Sequence, residues 1–132
     1  MMRAGTATRL VAVFRCIDHP MTTMNADPRQ RIITRIRQEP AFAMSLVGES
    51  VELLADGHAE EAGSILRTLA NAVGFKNLAR ATGTHAKTLH RQLSPSGNPT
   101  MNALSHILRG LTLQIAKRPM RMSVSFVDAE IA

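Results

Sequence analysis

The sequence predicts an all-α fold, a small helical bundle, on three observations. Aromatic residues make up only 3% of the 132 residues, with four Phe and neither Trp nor Tyr. The core must therefore be built from Leu, Ile, Val, Ala and Met, and Leu, Ala and Met are good helix formers. Apolar residues recur at near-helical spacing from Ile32 to Val73. Helix-starting and helix-ending residues also punctuate the chain at intervals suited to short helices.

Taken in order, residues 1–24 carry no periodic apolar face and read as a flexible N-terminal arm. The segment RLVAVFRCI within it is too short and too interrupted, by Arg15, to read as a secretory signal, and Met21 and Met24 are alternative starts. Asp27-Pro28 then reads as an N-cap with proline at the first helical position, ahead of RQRIITRIRQ. Glu39-Pro40 ends that helix and Pro40 opens AFAMSLVGESVELLADG, for which Gly57 is the expected C-cap. HAEEAGSILRTLANAVG follows, with Glu60 and Glu61 suited to a helix N-terminus and Gly74 at its end. Three short helical pieces come next: FKNLARA, THAKTLHRQL and TMNALSHILRG.

The period then changes. Leu111, Leu113 and Ile115 alternate with polar residues, and so do Met120, Met122, Val124 and Phe126. Two period-two runs around Lys117-Arg118-Pro119 predict a C-terminal β-strand or hairpin. The rival is one strand followed by a tail. The expected organisation is thus an arm over 1–24, a main domain over 25–116, and a tail or second hairpin strand over 117–132. An unpaired strand at Leu111–Ile115 would also favour a homodimer.

Charge is the first functional signal. The net charge is +6, but residues 1–61 hold seven basic and eight acidic groups. From Ala62 to Val127 there are nine basic residues and no acidic one. A one-signed half of this kind suits a polyanionic partner. Cys16 is the lone cysteine, so no intramolecular disulfide or Cys-based zinc site is available, and a reducing, cytoplasmic setting fits. No apolar run reaches the roughly 18–20 residues a membrane span needs.

The constellation that carries function is FKNLARATGTHAKTLHRQL, at residues 75–93. A helix-turn-helix needs a small residue where its helices cross, supplied by Ala79, and a sharp turn, supplied by Gly83. It also needs an apolar anchor on the second helix, supplied by Leu89, with Phe75, Leu78 and Leu93 completing the buried set. Thr84 is placed to N-cap the second helix. With Leu89 and Leu93 inward, His85, Lys87, His90 and Arg91 point outward, a face with cations and no carboxylate that suits the major groove of DNA. In the following SPSGNPT loop, Gly97 and Asn98 are expected to offer backbone N–H groups to phosphate.

The stretch GFKNLARATGTHAKTLHRQLSPSGNPTMNALSHIL resembles the addiction-module antidote proteins, the HigA-like group of helix-turn-helix regulators. The elements that carry the resemblance are Gly74, Leu78-Ala79, Thr82-Gly83, Leu89, Leu93-Ser94 and Gly97-Asn98-Pro99. It covers residues 40–115; the first 25 residues and the tail beyond Ile115 fall outside it, and Gln92 stands where an apolar residue is usual. The resemblance implies a DNA-binding regulator, often an autorepressor paired with a ribonuclease-type toxin. Two functions are therefore expected: a dimeric sequence-specific repressor of transcription, or an antitoxin that binds and neutralises such a toxin.

Other chemistries find little support. His85 and His90 are five apart, whereas a helical metal pair wants three or four. Ser94, Ser96 and Ser105 have no convincing His and carboxylate partners for a triad. No phosphate loop is present. The expectation is a non-enzyme with no cofactor and no metal.

Overall fold

A computed structural model of the chain describes residues 27–129; the arm expected over 1–24 lies outside the described residues. The described residues form six helices: α1 (Pro28–Gln38), α2 (Pro40–Ala55), α3 (Ala59–Val73), α4 (Phe75–Thr82), α5 (Ala86–Gln92) and α6 (Met101–Ala116). No strand occurs among the described residues. No described helix is long and apolar enough to cross a membrane.

Local chemistry sets most boundaries. The Asp27 carboxylate accepts a hydrogen bond from the Arg29 amide at 3.1 Å, with Pro28 at the start of α1. Such a cap satisfies one of the amides that a helix N-terminus leaves without an intrahelical partner. Glu39 lies between α1 and α2, because the ring of Pro40 disfavours helical geometry at the preceding residue. Helix α2 ends in a Schellman motif. The His58 amide donates to the Leu53 carbonyl at 2.8 Å and the Gly57 amide to the Leu54 carbonyl at 3.2 Å, with Gly57 at φ +85°.

Helices α1, α2 and α3 pack on one another, and α6 lies across α2 and α4. Leu46, Ile65, Leu66, Leu69, Leu78, Leu89, Ile107 and Leu111 are all fully buried, so one core runs through both ends of the bundle. Burying a side chain of this size contributes roughly 1.5–3 kcal/mol. The two-turn helices α4 and α5 draw their stability from this core, since helices so short are not stable alone.

The C-terminal half corrects one expectation. Leu111–Ile115, expected as a strand, is the last part of α6. A five-residue window with apolar residues at every second position matches a strand, but burial follows the helical period: Ile107, Leu111 and Ile115, spaced four apart, face the core. Thr112, which supplies part of the apparent alternation, donates its hydroxyl to the Leu108 carbonyl one turn back at 2.8 Å, which satisfies its polar group within the helix. The helix also passes straight through Gly110, where the expected piece TMNALSHILRG stopped. A Cβ at Gly110 would lie 2.8 Å from Thr82 Cγ2 and 3.0 Å from Leu78 Cδ1, so this glycine lets α6 approach α4. Ala79, expected as the small residue of the helix-turn-helix, is half-buried and packs against the core. Residues 117–129 carry no regular secondary structure, so no hairpin forms. With Leu111–Ile115 inside α6, the unpaired strand that favoured a dimer is gone.

Candidate nucleic-acid interface

The α4–α5 unit is built around a three-residue connection, Gly83-Thr84-His85. Gly83 adopts φ +73° and ψ 14° and donates its amide to the Ala79 carbonyl at 2.9 Å, closing α4. This left-handed conformation costs a residue with a Cβ roughly 1–2 kcal/mol and glycine almost nothing. The Thr84 amide donates to the Thr82 hydroxyl at 3.2 Å. The N-cap of α5 is His85, not Thr84 as expected, and no side chain caps it. The turn already satisfies the Thr84 amide and leaves Thr84 half-buried, one residue before the cap position.

Because α5 lacks an N-terminal side-chain cap, tertiary contacts hold it in place. Leu89 and Leu93 are buried in the core, at 1% and 3% exposure. The Arg67 guanidinium, reaching over from α3, donates from Nε to the Leu93 carbonyl at 2.7 Å. A cation at a helix C-terminus meets the negative end of the macrodipole, typically worth about 0.3–1 kcal/mol. On the other side, the His90 ring stacks on Phe75 of α4, with centroids 3.6 Å apart and planes 17° apart. His90 was expected on the free outward face. It is exposed, but one face of its ring is occupied by Phe75, so it joins α5 to α4.

What remains outward is a compact basic face. His85, Lys87 and Arg91 are exposed. Lys87 and Arg91 are one turn apart and so lie on the same side of the helix. Among the described residues neither pairs with a carboxylate. Lys76 and Arg80 on α4 are exposed as well. The helix-turn-helix spacing does not point to them, although they belong to the same acid-free run as α5.

The loop after α5 divides the two residues expected to contact phosphate. Gly97 is half-buried and its amide donates to the Ser94 carbonyl at 2.8 Å, so it offers no free N–H group. A Cβ there would overlap the carbonyl oxygens of Arg91 and Gln92, so glycine is needed for the loop to fold against the end of α5. Asn98 is exposed, as expected. Thr100 caps α6, its hydroxyl accepting from the Ala103 amide at 3.1 Å. Gln92, where an apolar residue was expected, is half-buried, and its Oε1 is buried with no hydrogen-bond partner. Such an atom costs about 1–3 kcal/mol, which makes Gln92 the weak point in the packing of α5. No protein-family model, no curated protein and no solved structure matches the chain.

Proposed function

We propose that this protein is a sequence-specific DNA-binding regulator of transcription, a repressor that acts as a dimer, with α4 and α5 as its helix-turn-helix and α5 as the reading helix. One observation carries the reading: among the described residues Lys87 and Arg91 stand exposed and without carboxylate partners, on a helix held by Leu89, Leu93, Arg67 and Phe75. Rigid placement of a cationic face is what groove reading requires, because base contacts depend on fixed geometry. Residues 62–127 hold no acidic side chain that would repel phosphate. His85 at the start of α5 and Asn98 in the following loop extend the same contact surface.

Within this reading Arg91 makes a two-pronged contact to guanine, worth roughly 1–3 kcal/mol of discrimination. Lys87 contacts phosphate, and its loss lowers the salt dependence of binding by about one unit. The test is a footprint over the DNA upstream of the protein's own coding sequence, followed by titration of the protected duplex and a random duplex at two salt concentrations. Arg91→Ala should narrow the gap between the two duplexes, and Lys87→Ala should weaken both alike. If the double variant binds both duplexes as the wild type does, α5 is not the reading helix. The antitoxin reading keeps the same DNA face and adds a toxin partner. It gains support if a neighbouring gene encodes a small basic ribonuclease-like protein that binds this chain.

A further inference from the structure

The segment after α6 has the composition of a strand but, among the described residues, no strand to pair with. Met120, Met122, Val124 and Phe126 alternate with Arg121, Ser123 and Ser125. Phe126 is 97% exposed and Val124 73%. Among the described residues, 118–129 make no backbone hydrogen bond. An alternating segment with free N–H and C=O groups is a template for pairing with another chain. Met120 and Met122 are only half-exposed, because they line a groove of about 500 Å³ with Met44 and Val47 of α2 and Leu108 and Leu113 of α6.

We infer that the partner is a second copy of the same segment, paired antiparallel about a two-fold axis at Ser123. This names the surface of the dimer that the regulator reading calls for; it rests on that reading only in expecting two copies. Charge sets the direction. Lys117 and Arg118 precede the alternating run and Asp128 follows it, so antiparallel pairing brings opposite charges together at both ends. Parallel pairing would place like on like.

Register follows from symmetry. In a two-fold antiparallel ladder, the central residue must face its own copy for the apolar faces to coincide. Centring on Met122 sets Arg118 against the partner's Phe126, and centring on Val124 sets Met120 against the partner's Asp128. Centring on Ser123 sets Met120 against the partner's Phe126, Met122 against the partner's Val124, and Arg118 against the partner's Asp128. Of the three, only this last register matches apolar with apolar and Arg118 with Asp128 along the face that carries the apolar residues. Directly opposed side chains sit about 4.5–5.5 Å apart. Since Met120 already lines the groove, the partner's Phe126 is brought to its mouth. The groove against α2 and α6 thereby supplies the packing that a two-stranded ribbon lacks on its own.

The test is sedimentation of the full-length chain without DNA, so a failure of dimerisation is read separately from a failure of DNA binding. The wild type should be a dimer at micromolar concentration. Phe126→Ser should be monomeric with unchanged helical circular dichroism, because this side chain is exposed in the single chain. Arg118→Asp and Asp128→Arg should each weaken the dimer about tenfold, since both symmetric pairs turn repulsive. An equimolar mixture of the two variants should restore it, because each then meets its complement. In a Cys16→Ser background, Ser123→Cys should cross-link under mild oxidation and Ser125→Cys should not. A monomeric wild type, a dimer indifferent to Phe126→Ser, a mixture that fails to recover, or equal cross-linking at both positions would each overturn the inference.

Discussion

Two regions of the bundle that carry several basic residues use their cations in different ways. In α1 two of the charges, those of Arg35 and Arg37, are engaged by the fold. Arg35 donates to Glu39 at 3.1 Å and lies 3.9 Å from the centre of the Phe42 ring, and Arg37 donates from Nε to the Ala72 carbonyl at 2.9 Å, near the end of α3. In α4 and α5, Lys76, Arg80, Lys87 and Arg91 stand exposed, while Arg67 of α3 donates to the Leu93 carbonyl at the end of α5. Both regions are rich in basic residues, so a count of charge does not distinguish them. What does is whether a carboxylate, ring or carbonyl lies within reach of each cation. In the first region Arg35 and Arg37 are held by the fold, and in the second, among the described residues, Lys87 and Arg91 are exposed with no carboxylate partner.

The largest effects should come from removing the core beneath each region. Leu46→Ala and Leu89→Ala each delete a fully buried side chain and should cost about 2–5 kcal/mol in chemical denaturation. Their effects on DNA should differ. Leu89→Ala should abolish specific binding under conditions where the chain is still folded, because α5 loses its anchor. Leu46→Ala, measured well below its melting point, should bind as the wild type does. Equal losses of binding would mean that the two regions are not functionally distinct.

Next in size are the glycines around α5. Gly97→Ala should cost about 1–3 kcal/mol, because the new Cβ meets backbone oxygens that have little room to move. Gly83→Val should cost about 1–2 kcal/mol from its positive φ alone, since nothing lies within 4 Å of an added Cβ there. A Gly83→Val protein that melts like the wild type would show that the turn adopts another conformation in solution.

The matched arginines sharpen the comparison further. Arg37→Ala and Arg67→Ala each remove a guanidinium that donates to a carbonyl near a helix C-terminus and should each lower stability by about 1 kcal/mol. Only Arg67→Ala should also weaken DNA binding, through the position of α5, and Arg67→Lys should restore part of it. Smallest of all, Arg35→Ala should change stability by about 0.5 kcal/mol, because the Arg35–Glu39 pair is half-exposed on both sides.

Much of the fold was legible in the residues before any coordinates. Asp27-Pro28, Glu39-Pro40, Gly57, Gly74 and Gly83 act where their chemistry places them, because capping and positive φ are local properties. The buried set of α4 and α5 was legible too, since Leu78, Leu89 and Leu93 follow the helical period. Of the outward residues, His85, Lys87, Arg91 and Asn98 are exposed as expected. Three features were not legible. His90 stacks on Phe75, fifteen positions earlier; Arg67 reaches the carbonyl of Leu93; and Gly97 lies against the end of α5.

The sequence by itself therefore determined where the first four helices begin and end, which of their faces are apolar and where acidic residues are missing. These depend on a residue and its near neighbours, and the period of a long helix is carried by many positions at once. Only the tertiary structure decided that Leu111–Ile115 is helical. In five residues the two-residue and helical periods cannot be told apart, and the choice falls to what lies across the interface. There Ile107, Leu111 and Ile115 meet the core and Gly110 admits α4. It likewise decided which cations are free, because a charge is neutralised by what folding brings within a few ångströms of it, from parts of the chain that no local pattern connects.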